Sequence, residues 1–70
     1  MQKIKRIGLI RRRLELGLSQ TAMAQRTGKK MQVIWNMENG MMPRPTSIPV
    51  LAKGYEMTPA EFVAILYKDI

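Results

Sequence analysis

Residues 20–40, QTAMAQRTGKKMQVIWNMENG, contain two short helix-forming runs separated by a single glycine, and few folds accept that arrangement. Ser19 precedes the first run as a natural N-cap, and helix formers follow it to Thr27. Gly28 then supplies the residue type that tolerates φ > 0, as the backbone requires where one helix stops and turns sharply. The second run resumes helical periodicity at about Met31 and ends at Asn39-Gly40, a strong stop signal. Met23, Ala24, Ile34 and Met37 fall where two short helices crossing steeply need apolar contacts. Ala24 is small where the two backbones approach most closely.

The flanking sequence supplies three more helices and no linker, low-complexity segment or repeat. Seventy residues suffice for one domain with a small core, here residues 1–70. A first helix is predicted over residues 4–16, with Ile4, Ile7, Ile10 and Leu14 as its apolar stripe and Gly8 as an interruption. Lys3, Lys5, Arg6, Arg11 and Arg12 are then expected to point mostly outward. Leu16-Gly17-Leu18 reads as a turn with two leucine plugs. Met41-Met42-Pro43-Arg44-Pro45 reads as an extended connector, as X-Pro steps demand. A fourth helix is predicted over residues 47–53, capped by Thr46 or Ser47, with Pro49 in its first turn and Ile48, Val50, Leu51 and Tyr55 toward the core. Thr58-Pro59-Ala60-Glu61 opens a fifth helix with an N-cap, a proline at N1 and the glutamate of a capping box. Phe62, Val63, Ile65, Leu66 and Tyr67 exceed what one core stripe needs, and the surplus is a candidate homodimer contact. The expected fold is all-α, with five short helices.

Composition narrows the chemistry. The absence of cysteine and histidine removes disulfides, thiolate sites, the usual zinc ligands and histidine acid–base catalysis. Glu15, Glu38, Glu56, Glu61 and Asp69 are scattered, and no activated nucleophile or phosphate-cradling loop is evident. Ser19 and Ser47 read as helix caps, and the seven methionines as pliable core or interface filler. No catalytic role, metal or cofactor is expected. The apolar runs are too short to span a bilayer and no signal-peptide core follows the basic start, so a soluble, intracellular protein without membrane partners is expected. The net charge of +7 is uneven: residues 1–30 carry nine Lys/Arg and one Glu, whereas residues 31–70 are nearly balanced. A strongly basic end suits a polyanion.

The run LELGLSQTAMAQRTG…IWNMENGMMPRP resembles the lambda-repressor and Cro family of helix-turn-helix regulators, closest to its lambdoid phage branch. The resemblance implies a lambda-repressor-like domain whose second and third helices form the helix-turn-helix. It implies that Lys30, Met31, Gln32, Val33 and Asn36 meet base edges. Gln32 and Asn36 suit adenine N6/N7, and Met31 and Val33 suit thymine methyls. It assigns DNA phosphates to Arg13, Gln20, Lys29 and Arg44, and pairs Arg13 with Glu38 to tie the first helix to the third. Lys29 and Lys30 stand where an N-cap serine or threonine is usual and oppose the helix dipole, which a nearby phosphate would offset. Trp35 replaces a usually polar residue and is open to a DNA ridge, the bundle itself or a protein interface.

Two functions follow from this reading. The first is a sequence-specific double-stranded DNA-binding regulator, a repressor acting as a homodimer on a pseudo-palindromic operator in a bacterial cytoplasm, with no second domain expected. The second is a protein-binding derivative of the same fold, an anti-activator or antitoxin-like partner. It would use the apolar face of Met31, Val33 and Trp35 together with Met41 and Met42.

Overall fold

In the computed structural model, which describes residues 5–68, Ser19 begins the central element as its sequence suggests. Its Oγ accepts the Ala22 N–H at 3.0 Å, satisfying one donor that a helix start leaves open. The helices are α1 (Ile7–Glu15), α2 (Gln20–Thr27), α3 (Met31–Glu38), α4 (Ile48–Gly54) and α5 (Pro59–Lys68), with a 3-10 turn at Pro45–Ser47 before α4. Gly28 closes α2 at φ +72°, and the Lys29 N–H returns to the Ala24 carbonyl at 3.0 Å. That left-handed residue lets the chain reverse within two residues and start α3.

Every helix contributes to one core. Leu9 comes from α1, Met23 and Ala24 from α2, Ile34 and Met37 from α3, Leu51 and Ala52 from α4, and Phe62 and Leu66 from α5. Tyr55, just beyond α4, is fully buried with its ring centroid 5.6 Å from that of Phe62. Leu16 and Leu18 pack against this cluster from the first turn. At the start of α5 the Thr58 N–H donates to Glu61 Oε1 at 2.9 Å and the Glu61 N–H to Thr58 Oγ1 at 3.1 Å, completing the capping box. These bonds from Thr58, the backbone one first, hold the Glu61 carboxyl below its ordinary pKa.

The largest departure from the sequence pattern is in α1. Its buried face is Leu9 and Arg13, preceded by a fully buried Arg6, whereas Ile7 is 51% and Leu14 62% exposed. Arg6, Leu9 and Arg13 follow i, i+3, i+7 spacing just as Ile7, Ile10 and Leu14 do. The two stripes differ by one position, about 100° of rotation on a 3.6-residue helix. Polar partners decide between them. Arg13 reaches a buried carboxylate, and Arg6 bonds to carbonyls at the ends of two other helices, so both turn inward and carry Leu9 with them. The expected outward placement of Arg6 is therefore corrected. The helix also starts later and stops one residue earlier than its apolar pattern suggests, and Ile4, Lys3 and Asp69 lie outside the described residues.

Smaller corrections have local causes. Ser47 takes the N-cap position of α4 as expected, but its side chain makes no capping bond, because the 3-10 turn that includes Thr46 and Ser47 leads directly into the helix. Val50 and Tyr67 are exposed, while Leu51, Phe62 and Leu66 occupy the core-facing positions beside them.

Gly54 is fixed by packing and carries no sequence signal of its own. A Cβ there would overlap the Thr27 γ-methyl, and that side chain cannot swing away because its hydroxyl donates to the Met23 carbonyl at 2.9 Å. The absence of a side chain is what lets α4 approach α2. Gly54→Ala is expected to lower stability by about 1–3 kcal/mol through overpacking. Thermal melts of Gly54→Ala, Thr27→Ser and the double variant test this. Thr27→Ser keeps the hydroxyl and removes the methyl, so the double variant should recover most of the loss, and strictly additive losses would contradict the account.

Candidate nucleic-acid interface

The geometry around α3 is set by the last residue of that helix. Glu38 is 1% exposed and its two oxygens accept four hydrogen bonds. Arg13 Nε donates to Oε2 at 2.7 Å and Arg13 Nη2 to Oε1 at 3.0 Å. The Tyr55 hydroxyl donates to Oε2 at 3.0 Å and Gln20 Nε2 to Oε1 at 3.2 Å. One carboxylate thus joins α1, the first residue of α2, the end of α3 and the residue after α4. The bond to Glu38 raises the Arg13 pKa, and burial, with Glu38 alongside, pushes the Tyr55 phenol well above its ordinary range. Both groups therefore keep their protons throughout the physiological range. Arg13 Nη1 also donates to the Leu18 carbonyl at 2.9 Å, so its guanidinium is engaged on all three nitrogens within the protein.

Other arginines of the basic first half are engaged in the same way. The Arg6 N–H donates to the Glu38 carbonyl at 2.8 Å, and its side chain donates to the carbonyls of Met37, Met41 and Leu66 at 2.7, 2.8 and 3.1 Å. It thereby supplies donors to carbonyls that the ends of α3 and α5 leave without helical partners. Arg12 donates to the Tyr55 and Glu56 carbonyls at 2.9 and 3.0 Å, placing a cation beyond the C-terminus of α4. Arg26 pairs with Glu56 at 2.6 Å across exposed surface. The concentration of charge in residues 1–30 is thus to a large extent internal wiring, which a count of charges does not reveal.

Three further cations, Lys29, Lys30 and Arg44, lie at the start of α3 and in the connector behind it. Lys30 occupies its N-cap position with extended backbone and no side-chain capping bond. Lys29 Nζ donates to Ser47 Oγ at 3.0 Å, so Ser47 holds a lysine where the sequence suggested a helix cap. Lys29 and Arg44 border a cleft of about 450 Å³ between α3 and the connector, lined also by Val33, Asn36, Met41 and Ser47. Lys30, Met31 and Gln32 are exposed, and Val33, Trp35 and Asn36 are half-buried. Gln32 Nε2 donates to Asn36 Oδ1 at 2.8 Å along the same face. The structure therefore brings Lys29, Val33, Asn36 and Arg44 to one cleft with Gln32 bonded to Asn36 beside it, while Met31 lines a separate cleft with Gln20 and Thr21, and Lys30 stands exposed at the start of α3. Gln20 is half-buried at the start of α2 on Glu38, while Arg13 lies inside.

Tyr55, expected only as a core residue, and Ser47, expected only as a helix cap, make bonds to Glu38 and Lys29 that sequence reasoning did not assign. The available signal for Tyr55 was a phenol at a core position in a chain that also buries an acid, since a buried hydroxyl needs a partner. Among the described residues no group of three or more acidic, histidine or cysteine side chains is placed to hold a metal ion. No helix there is long and apolar enough to cross a membrane. A family profile described as Helix-turn-helix matches residues 9–62, more than half of the chain, and spans all of α2 and α3 with the connector behind them.

Tyr55→Phe deletes one bond to a charged acceptor and little volume, and is expected to cost about 1.5–3 kcal/mol. Denaturant unfolding of the variant against the parent measures this directly. A change below about 0.5 kcal/mol would mean that Glu38 does not depend on the phenol.

Proposed function

The chain belongs to the Cro/C1-type helix-turn-helix family of DNA-binding regulators, and from that premise we propose that it is a repressor reading a pseudo-palindromic operator as a homodimer. The observation that carries the reading is the joint placement of cations without a carboxylate partner among the described residues and the amide side chains. Lys29 and Arg44 border the cleft that Asn36 lines, Gln32 is bonded to Asn36, and Lys30 begins α3, so a helix lying in a major groove would meet base edges beside phosphate contacts. Base contacts are assigned to Lys30, Met31, Gln32, Val33 and Asn36, and phosphate contacts to Gln20, Lys29 and Arg44, with Lys30 near enough to the backbone to contribute. Arg13 takes no phosphate in this proposal, because its guanidinium already binds Glu38 and Leu18. The two half-sites would lie about one helical turn apart, and repression would follow from blocking polymerase access.

The exposed methionines favour a second reading, in which the same face docks a protein. Met31 is 46% and Met41 58% exposed, next to half-buried Val33 and Trp35. Salt dependence separates the two readings, because contacts with phosphate release counterions and apolar docking does not.

With three cationic contacts per protomer, the logarithm of the association constant for mixed-sequence duplex should fall against log salt with a slope of about −3 per bound protomer. Trp35 on α3 provides the fluorescence signal. Lys29→Ala and Arg44→Ala should each reduce the magnitude of the slope by about 1. A slope unaffected by both variants, or no binding at low salt, would remove the DNA-reading proposal and direct the search to a protein partner.

A further inference from the structure

We infer that Gln32 and Asn36 read DNA as one coupled unit, in which Asn36 orients Gln32 on an adenine. This rests on the DNA-binding reading above. The motivating contact is the 2.8 Å bond from Gln32 Nε2 to Asn36 Oδ1, one helical turn apart on the exposed side of α3.

The donor and acceptor inventory of the two amides gives the inference its content. A glutamine amide has two N–H bonds and one carbonyl oxygen. With one N–H held by Asn36, Gln32 retains an N–H and Oε1, the pair that matches adenine N7 and N6–H in the major groove. The bond also determines which end of the amide faces Asn36, so the glutamine is presented in one orientation. Asn36 differs, because one of the two lone pairs on its Oδ1 already accepts from Gln32, while both of its Nδ2–H donors remain open to a base. Its capacity is weighted toward donation, which suits an accepting edge such as guanine N7/O6 or thymine O4 and suits the donor edge of cytosine poorly. The sequence pattern treats the two amides alike; the contact makes one the anchor and the other the adenine reader.

The surroundings support the division. Asn36 is half-buried and lines the cleft bordered by Lys29 and Arg44, whereas Gln32 is exposed beyond it. The less mobile amide thus anchors the more mobile one, whose three side-chain torsions would otherwise have to be ordered on binding.

The test uses operators selected from a random duplex pool with the full chain. Binding constants are then measured for the selected site and its single-base changes, on the parent, Gln32→Ala, Asn36→Ala, Asn36→Asp and the Gln32→Ala/Asn36→Ala double variant. The readout is the ratio of affinities, within each variant, for adenine against other bases at the position that Gln32→Ala desensitises. A uniform loss of binding cancels in that ratio. Asn36→Ala is expected to reduce it at least fivefold and to add nothing once Gln32 is gone. Asn36→Asp keeps the acceptor, so it should preserve the ratio even as its charge weakens binding overall. If Asn36→Ala leaves the adenine ratio intact and alters only a neighbouring base pair, the two residues read independently and the inference fails while the DNA reading stands. If the parent shows no sequence preference at all, the DNA reading fails and the inference with it.

Discussion

The buried carboxylate of Glu38 is the constraint on which the arrangement of helices depends. An ionised carboxylate removed from water is strongly unfavourable unless charge and hydrogen bonds replace its hydration. Here Arg13 supplies the charge and two bonds, and Tyr55 and Gln20 supply one each. Because these donors come from different elements, satisfying one carboxylate fixes α1, the start of α2 and the end of α4 relative to α3. Each oxygen accepts two bonds, so a packing that loses Tyr55 or Gln20 leaves one oxygen with a single donor, and one that loses Arg13 leaves the buried charge without its counter-charge. Among the described residues no buried side-chain nitrogen or oxygen lacks a hydrogen-bond partner.

The same logic extends to the other arginines. Among the described residues ten apolar side chains are fully or nearly buried, a small core with which to hold five helices in place. Arg6 and Arg12 compensate by donating to carbonyls at the C-terminal ends of α3, α4 and α5, where helices leave acceptors open and where a cation is favoured by the dipole. Charge that composition would assign to a polyanion is thereby structural. The cations proposed for phosphate, Lys29, Lys30 and Arg44, lie outside this network at the start of α3 and in the connector. They are fewer than the net charge suggests and better placed.

Local signals in the sequence determined much of this outcome. Ser19, Gly28, Thr58-Pro59 and Glu61 each specify a backbone event through their own side chains or lack of one, and the elements they bound lie where the pattern puts them. The pairing of Met23 and Ala24 with Ile34 and Met37 was equally visible, because the two helices are joined by a turn too short to allow much choice. The rotation of α1 was not visible. Two stripes at the same helical spacing compete there, and hydrophobicity alone favours the isoleucines. The choice is made by Glu38, twenty-five residues beyond Arg13, and by carbonyls still further along the chain. Gly54 and Ser47 were hidden for the same reason, since what each touches, Thr27 and Lys29, is known only once the chain is folded. On α3 the residue types and their exposure were legible, but the bond that makes Gln32 and Asn36 unequal depends on side-chain conformation.

The central claim is that the arginines of the first half build the platform while the start of α3 and the connector meet DNA. Amide chemical-shift mapping of the labelled protein titrated with duplex DNA at low salt tests it most directly. Shifts concentrated at Lys29 to Val33, Asn36 and Arg44, with the amides of Arg6, Arg12 and Arg13 unmoved, are the expected result. A footprint centred on the exposed face of α1 around Ile7, Arg11 and Leu14, with α3 silent, would contradict it.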